Sequence, residues 1–134
     1  MSLDYVPTPA GLAGVALAEL AQAYTGHVGA LVDARHGIGR PHPPARLASI
    51  ALDALAVGQA VADHVLRHRW LTVAEALTYG ATLPQVATAS ALTTDEVTAG
   101  VRSWADAQHR HAGMSAATRD EILTLLTRAT GGAR

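Results

Sequence analysis

Three helix-start patterns follow one another in the segment TVAEALTYGATLPQVATASALTTDEVTAGVRSWADAQHR, which runs from Thr72 to Arg110. The residue pairs that form them are Thr72 with Glu75, Thr82 with Gln85, and Thr93 with Glu96. In each pair the threonine hydroxyl can accept from the backbone N–H three residues on, while the Glu or Gln side chain reaches back to the N-cap. Starts this closely spaced predict short helices over 73–80 and 83–90, and a third helix from Thr94 to about His111.

The residues that flank these starts support the same helix boundaries. Pro84 falls inside the first turn of the second short helix, where its missing N–H costs nothing. Gly113 is expected to end the third helix, and Ser115 can cap a last one. The apolar residues expected on the inner face of that last helix are Ile122, Leu125, Leu126 and Ala129.

Two longer helices are predicted before this segment, over Ala10–Arg35 and Ala45–Trp70. The loop Gly37–Pro44 separates them, because its glycines and three prolines cannot continue a helix. Apolar residues recur at spacings of three and four in both helices. In the first they are Leu17, Leu20, Tyr24, Val28 and Leu31; in the second they are Leu47, Ile50, Ala54, Val57, Val61 and Val65, with Leu52, Leu55 and Leu66 beside them.

No strand pattern is present, so the predicted fold class is all-α. We expect a helical hairpin over 1–70 and a tri-helical lobe with a C-terminal helix over 71–134. The hairpin carries more apolar surface than two helices can cover, which predicts a homodimer formed through it.

Composition limits the classes of function that need to be considered. The chain has 134 residues, 49% of them hydrophobic, a formal net charge of −1 and no cysteine. That charge provides no general attraction to nucleic acid, so such binding would need a local patch. Without cysteine there are no thiolate nucleophiles, disulfides or Cys-based zinc sites.

The apolar stretches and the residue usage suggest where the protein resides. No signal peptide is recognisable, and charged residues interrupt the apolar stretches, so we expect a cytoplasmic protein without a membrane partner. The interrupting residues are Glu19, Asp33, Asp53 and Asp63. The chain contains no Lys, Asn or Phe, whose codons are AT-rich, which indicates a GC-rich genome such as an actinobacterial one. The exclusive use of Arg is therefore no sign of phosphate recognition.

The segment from Tyr79 to Ala87, YGATLPQVA, resembles the entry of the helix-turn-helix in sigma-factor region 4 and LuxR-type regulators. Those families share a Gly, a capping Ser or Thr, and an aliphatic–Ala pair at these offsets. The residues 91–93 resemble the turn that follows, and Val97 and Val101 fall where the families pack the recognition helix. The resemblance covers about 30 residues and extends to the C-terminal helix-turn-helix segment of many small actinobacterial proteins.

This resemblance implies a sequence-specific transcriptional regulator that binds double-stranded DNA. Because each subunit carries so few positive charges, we expect a dimer to bind two half-sites about one helical turn apart. The residues expected to face bases are Thr93, Thr94 and Thr98. Arg102 is expected to contact a phosphate. Thr82 and Gln85 at the start of the preceding helix are expected to hold the DNA backbone.

The sequence also departs from the family pattern. Ala91 stands where a Gly is usual, so a residue with a Cβ must make the turn. Asp95 and Glu96 suit the dipole of the third helix but would repel phosphates. Thr98 and Gly100 stand where Lys or Arg is common. These departures leave open a second function, a protein-interaction or adaptor module that keeps the tri-helical fold without binding DNA.

Two other groupings of polar residues do not predict a functional site. His64 and His68 can share one helix face, as a metal site would need, but Arg67 and Arg69 beside them would repel a cation. We expect these four side chains instead to stabilise the C-terminal end of the predicted helix Ala45–Trp70 by interacting with its dipole. Residues 33–36 include Asp, Arg and His, which could suggest acid–base chemistry, but no Ser or Thr in a recognisable nucleophile turn accompanies them. No catalytic residue, metal or cofactor is predicted, and the protein is not expected to be an enzyme.

Overall fold

The described part of the chain, residues 6–131 of a computed structural model, is built from helices and contains no strand. The helices are α1 (Leu17–Arg35), α2 (Pro44–Thr78), α3 (Leu83–Ser90), α4 (Thr94–His111) and α5 (Ala116–Gly131), preceded by a 3₁₀ helix at Ala10–Leu12. The predicted all-α class is confirmed. The chain divides into two compact units, Met1–Arg67 and His68–Arg134, and α2 contributes residues to both.

The first long helix begins later than the sequence predicted. Residues 10–12 form a separate 3₁₀ turn, and α1 starts only after Ala16, whose backbone is extended and whose side chain offers no cap. Gly11 and Gly14 lie in this stretch and weaken an α-helix by roughly 1 kcal/mol each. The predicted break after α1 is confirmed, with Gly37 and Gly39 both at positive φ.

The second long helix does not end near Trp70, and the prediction of a separate helix over 73–80 is wrong. Thr72 lies inside α2, where its Oγ1 donates to the carbonyl oxygen of His68 at 3.2 Å instead of capping a new helix. Threonine tolerates mid-helix positions through this back-bonding. No Gly or Pro interrupts the chain from Ala60 to Thr78, so nothing stops the helix there.

This extension also corrects the expected role of the basic residues near Trp70. A helix dipole acts on charges within the last turn, and α2 continues to Thr78, so His64 to Arg69 lie too far from its end. Arg69 instead stacks on an aromatic ring, with its Cζ 4.9 Å from the centroid of Trp70. Both residues are half-buried, and such a contact contributes roughly 0.5–2 kcal/mol, more as it is shielded from water.

One apolar cluster joins the end of α2 to α3, α4 and α5. Its buried members are Val73, Leu77, Leu83, Val86, Ala87, Val97, Val101, Ala105, Ile122 and Leu126. The predicted packing of Val97 and Val101 is confirmed, since both are fully buried. Trp70 packs over Gly100 so closely that a Cβ at this glycine would overlap the indole ring. The absence of a side chain at Gly100 therefore lets α4 approach α2.

A smaller cluster forms the core of the first unit. Leu20 of α1 packs against Val57 and Ala60 of α2, and Gly58 admits the ring of Tyr24 at this crossing. Several residues of the predicted apolar faces remain exposed, namely Tyr24, Leu55, Val65 and Leu66. The apolar surface of this unit thus exceeds what its two helices cover.

By length and composition alone, α2 is long and apolar enough to cross a membrane. Its most apolar window has a mean hydropathy of 1.3, and 28% of that window is buried. Core helices of soluble proteins pass the same test, and α2 supplies buried residues to both clusters.

Candidate functional site

Helices α3 and α4 form the element that the sequence singled out, and each begins with a reciprocal cap. At α3, the Gln85 N–H donates to Thr82 Oγ1 at 3.2 Å, and the Thr82 N–H donates to Gln85 Oε1 at 2.9 Å. At α4, Glu96 and Thr93 make the same pair of bonds, both at 3.1 Å. Two of the three predicted capping boxes are therefore confirmed.

Three residues, 91–93, connect the two helices, and Ala91 makes the turn. Its backbone adopts the left-handed conformation, with φ 55° and ψ 39°, at the position where a Gly is usual in the families that the sequence resembles. The Leu92 N–H donates to the carbonyl oxygen of Ala87 at 3.0 Å, and Leu92 packs against the apolar cluster. A left-handed alanine costs roughly 1–2 kcal/mol, and the hydrogen bonds and packing around it must offset that cost.

The six residues predicted to contact DNA lie on α3, on α4 and at their caps. Thr93, Thr94, Gln85 and Arg102 are exposed, whereas Thr82 and Thr98 are half-buried. The Oγ1 of Thr98 donates to the carbonyl oxygen of Thr94 at 2.9 Å. Thr98 and Arg102 also line a shallow groove against α5, beside Leu126, Thr127 and Thr130. The structure thus keeps Thr94 and Arg102 accessible and engages the polar atoms of Thr82, Gln85, Thr93 and Thr98 within the protein.

The outward face of α4 includes residues that sequence reasoning left out of the site. Its exposed residues are Asp95, Ala99, Arg102, Ser103, Asp106 and Arg110. They recur at helical spacing on the side opposite Val97, Val101 and Ala105, so the period of the polar residues was the pattern that could have identified them. Small side chains at Ala99 and Ser103 leave the middle of this face open to close approach.

The charge on this face is mixed, and its start is acidic. Asp95 and Glu96 lie in the first turn of α4, whereas the first turn of α3 holds no acidic residue. Between Thr72 and Ala112 there are two arginines and four carboxylates. The charges near α4 therefore provide little attraction for phosphate, and what there is comes from Arg102 and Arg110.

A histidine closes the turn between α4 and α5. His109 Nδ1 lies 2.8 Å from the carbonyl oxygen of Met114 and is half-buried. The predicted cap of α5 is confirmed, since the Thr118 N–H donates to Ser115 Oγ at 3.1 Å. Within residues 6–131, no group of three or more His, Asp or Glu side chains is arranged to hold a metal ion.

A second surface feature of this unit, which the sequence did not reveal, is an open groove between the end of α2 and α5. Its apolar lining residues are Leu71, Ala74, Trp104, Met114, Ile122 and Leu125. Charged side chains stand along it, with Glu75 on the α2 side and Asp120, Glu121 and Arg128 on the α5 side. Comparisons with known proteins add no relative: no family model, no curated protein and no solved structure matches the chain.

Proposed function

We propose that this protein is a cytoplasmic DNA-binding transcriptional regulator that acts through α3 and α4 as a helix-turn-helix. In this proposal the first compact unit, which ends at Arg67, forms a supporting helical hairpin, and the unit from His68 onward forms the DNA-binding lobe. The observation that carries it is that two helices, each with a reciprocal capping box at its N-terminus, are joined by a three-residue turn. Val97 and Val101 anchor α4 in the core, and the opposite face of α4 is open to solvent. A recognition helix requires this combination of anchorage and exposure.

The outward face of α4 has chemistry suited to reading base edges. Asp95 lies at the start of this face, and its carboxylate can accept a hydrogen bond from the cytosine amino group. Thr94 is exposed beside it as the first residue of α4, and its methyl group can contact thymine. The small side chain of Ala99 allows the axis of α4 to approach the floor of the DNA major groove. Arg102, about two turns further along, would contact a phosphate and fix the position of the helix.

Low positive charge sets the expected strength of binding. If each subunit neutralises two phosphates, through Arg102 and Arg110, the logarithm of affinity falls by about 1.8 per logarithm of salt concentration. Such binding is weak for one subunit, so we propose that a homodimer engages two half-sites about one helical turn apart. The exposed apolar residues of the first unit support this dimer, above all Leu55, which is 70% exposed.

Selection from random duplex DNA at low salt tests the proposal directly. We expect one sequence to be enriched and Arg102→Ala to weaken binding to all sequences, lowering the salt slope by about one unit per subunit. Arg128→Ala is the matched control, because it removes the same positive charge from an exposed position on α5. Thr94→Ala should reduce discrimination between sequences more than affinity. Absence of enrichment, together with equal effects of the two arginine variants, would remove the regulator proposal.

One observation favours a second function, a protein-interaction or adaptor module with the same helices. Carboxylates outnumber arginines two to one between Thr72 and Ala112, and phosphate contacts supply most of the affinity in DNA complexes. Under this alternative the DNA selection fails, and the exposed face of α4 binds a protein.

A further inference from the structure

We infer that the groove between the end of α2 and α5 is a docking site for an amphipathic helix with basic flanks, supplied by a partner protein. The inference goes beyond DNA binding and does not depend on it. Trp104 lies in the groove, whereas Arg102 lies two residues away on α4, and residues two apart point to different sides of a helix.

The floor of the groove is apolar and partly open to solvent. Ala74 and Ile122 are buried at its base, and Trp104, Met114 and Leu125 are half-buried along it. Leu71 stands at one end with 45% of its surface exposed. A partner that covered these side chains would remove apolar area from water, which is the main favourable term in association.

The dimensions of the groove suit a helix. Its lining on α5 extends from Ala117 to Arg128, a helical rise of about 17 Å. Three turns of a docked helix span that length, and an apolar groove with walls formed by two helices accepts one in the manner of helix-in-groove recognition. Apolar residues of the partner at i, i+3, i+4 and i+7 would then contact the floor.

The charged residues along the walls of the groove favour a bound helix with positively charged flanks. Glu75 and Glu121 stand on opposite walls, both exposed, and no ion pair joins either to an arginine in residues 6–131. Asp120 lies 3.4 Å from the Arg119 guanidinium and is partly neutralised, and Arg128 is the basic residue of the rim. Glu75 and Glu121 are thus the two carboxylates left to pair with lysines or arginines of a bound helix.

The test uses the full chain and two synthetic peptides of 18 residues. Both carry leucine at the same helical positions, and they differ only in flanking lysines or flanking glutamates. The protein contains two tryptophans, which give two indole N–H resonances. Trp104 lies in the groove, while the half-buried Trp70 packs over Gly100 and is not among the lining residues of the groove. We expect the lysine peptide to shift the Trp104 resonance in a saturable manner and to leave the Trp70 resonance in place.

Charge variants test the complementarity. Glu75→Gln and Glu121→Gln should each weaken the lysine peptide by roughly two- to fivefold, as expected for exposed ion pairs. Glu19→Gln, at an exposed position on α1 of the first unit, is the matched control and should leave the affinity unchanged. The inference is overturned if the Trp104 resonance does not respond, or if both peptides bind equally. It is also overturned if that resonance shifts with protein concentration alone, because a second copy of the chain is then the occupant.

Discussion

Replacing Ala91 by glycine should stabilise the protein, although it removes a methyl group and adds flexibility. Ala91 holds φ at 55° in the turn between α3 and α4, a conformation that costs an L-residue roughly 1–2 kcal/mol. Glycine adopts it without this penalty but loses roughly 0.5–1 kcal/mol more backbone entropy on folding. The side chain of Ala91 is exposed, so its removal leaves no cavity. The net expected gain in the free energy of unfolding is about 0.5–1 kcal/mol.

Ala99→Gly provides the matched control for this prediction. Ala99 is exposed in the interior of α4, where the same substitution should lower the free energy of unfolding by about 1 kcal/mol. The two variants thus have the same composition and opposite expected signs. Urea unfolding followed by circular dichroism measures both, and thermal midpoints should move by about 2–4 °C in opposite directions. If Ala91→Gly unfolds at the same urea concentration as the wild type or a lower one, the left-handed turn is refuted.

Substitutions at Gly100, Leu55 and Thr82 each test one structural feature. Gly100→Ala should lower stability by about 1–3 kcal/mol, because the added Cβ overlaps the Trp70 ring; in Gly29→Ala, where the Cβ meets nothing, stability should rise by up to about 1 kcal/mol. Leu55→Glu should leave the helix content by circular dichroism intact yet shift equilibrium sedimentation from dimer to monomer, and a wild-type monomer at micromolar concentration would remove the dimer proposal. Thr82→Ala should cost about 1 kcal/mol in urea unfolding through loss of the α3 cap, and an unchanged midpoint would contradict that role.

The helix class and most helix ends could be read from the sequence because they depend on bonds within four or five residues. Thr82 and Thr93 cap the helices that follow them, and Ser115 caps α5, each through an acceptor three residues from its donor. The turn at Ala91 was suggested by the resemblance to helix-turn-helix families, in which a Gly is usual at this position, and its backbone is left-handed in the structure.

Thr72 shows where local pattern fails. It has the same Thr-to-Glu spacing as the other two caps, yet its hydroxyl bonds backwards inside α2. Its spacing permits either conformation, and the choice depends on burial of Val73, Ala74 and Leu77 against the helices that follow. The packing of these side chains favours a continuous helix, and a capping pattern contains no information about it.

Sequence alone was sufficient for the all-α class, the α3–turn–α4 element and the accessible positions of Thr94 and Arg102, because helical period and caps are local properties. Tertiary structure decided the length of α2, the exposure of Leu55 and the groove that holds Trp104. Each of these depends on surfaces from segments distant in the chain, and their contact is set by the volume and shape of packed side chains.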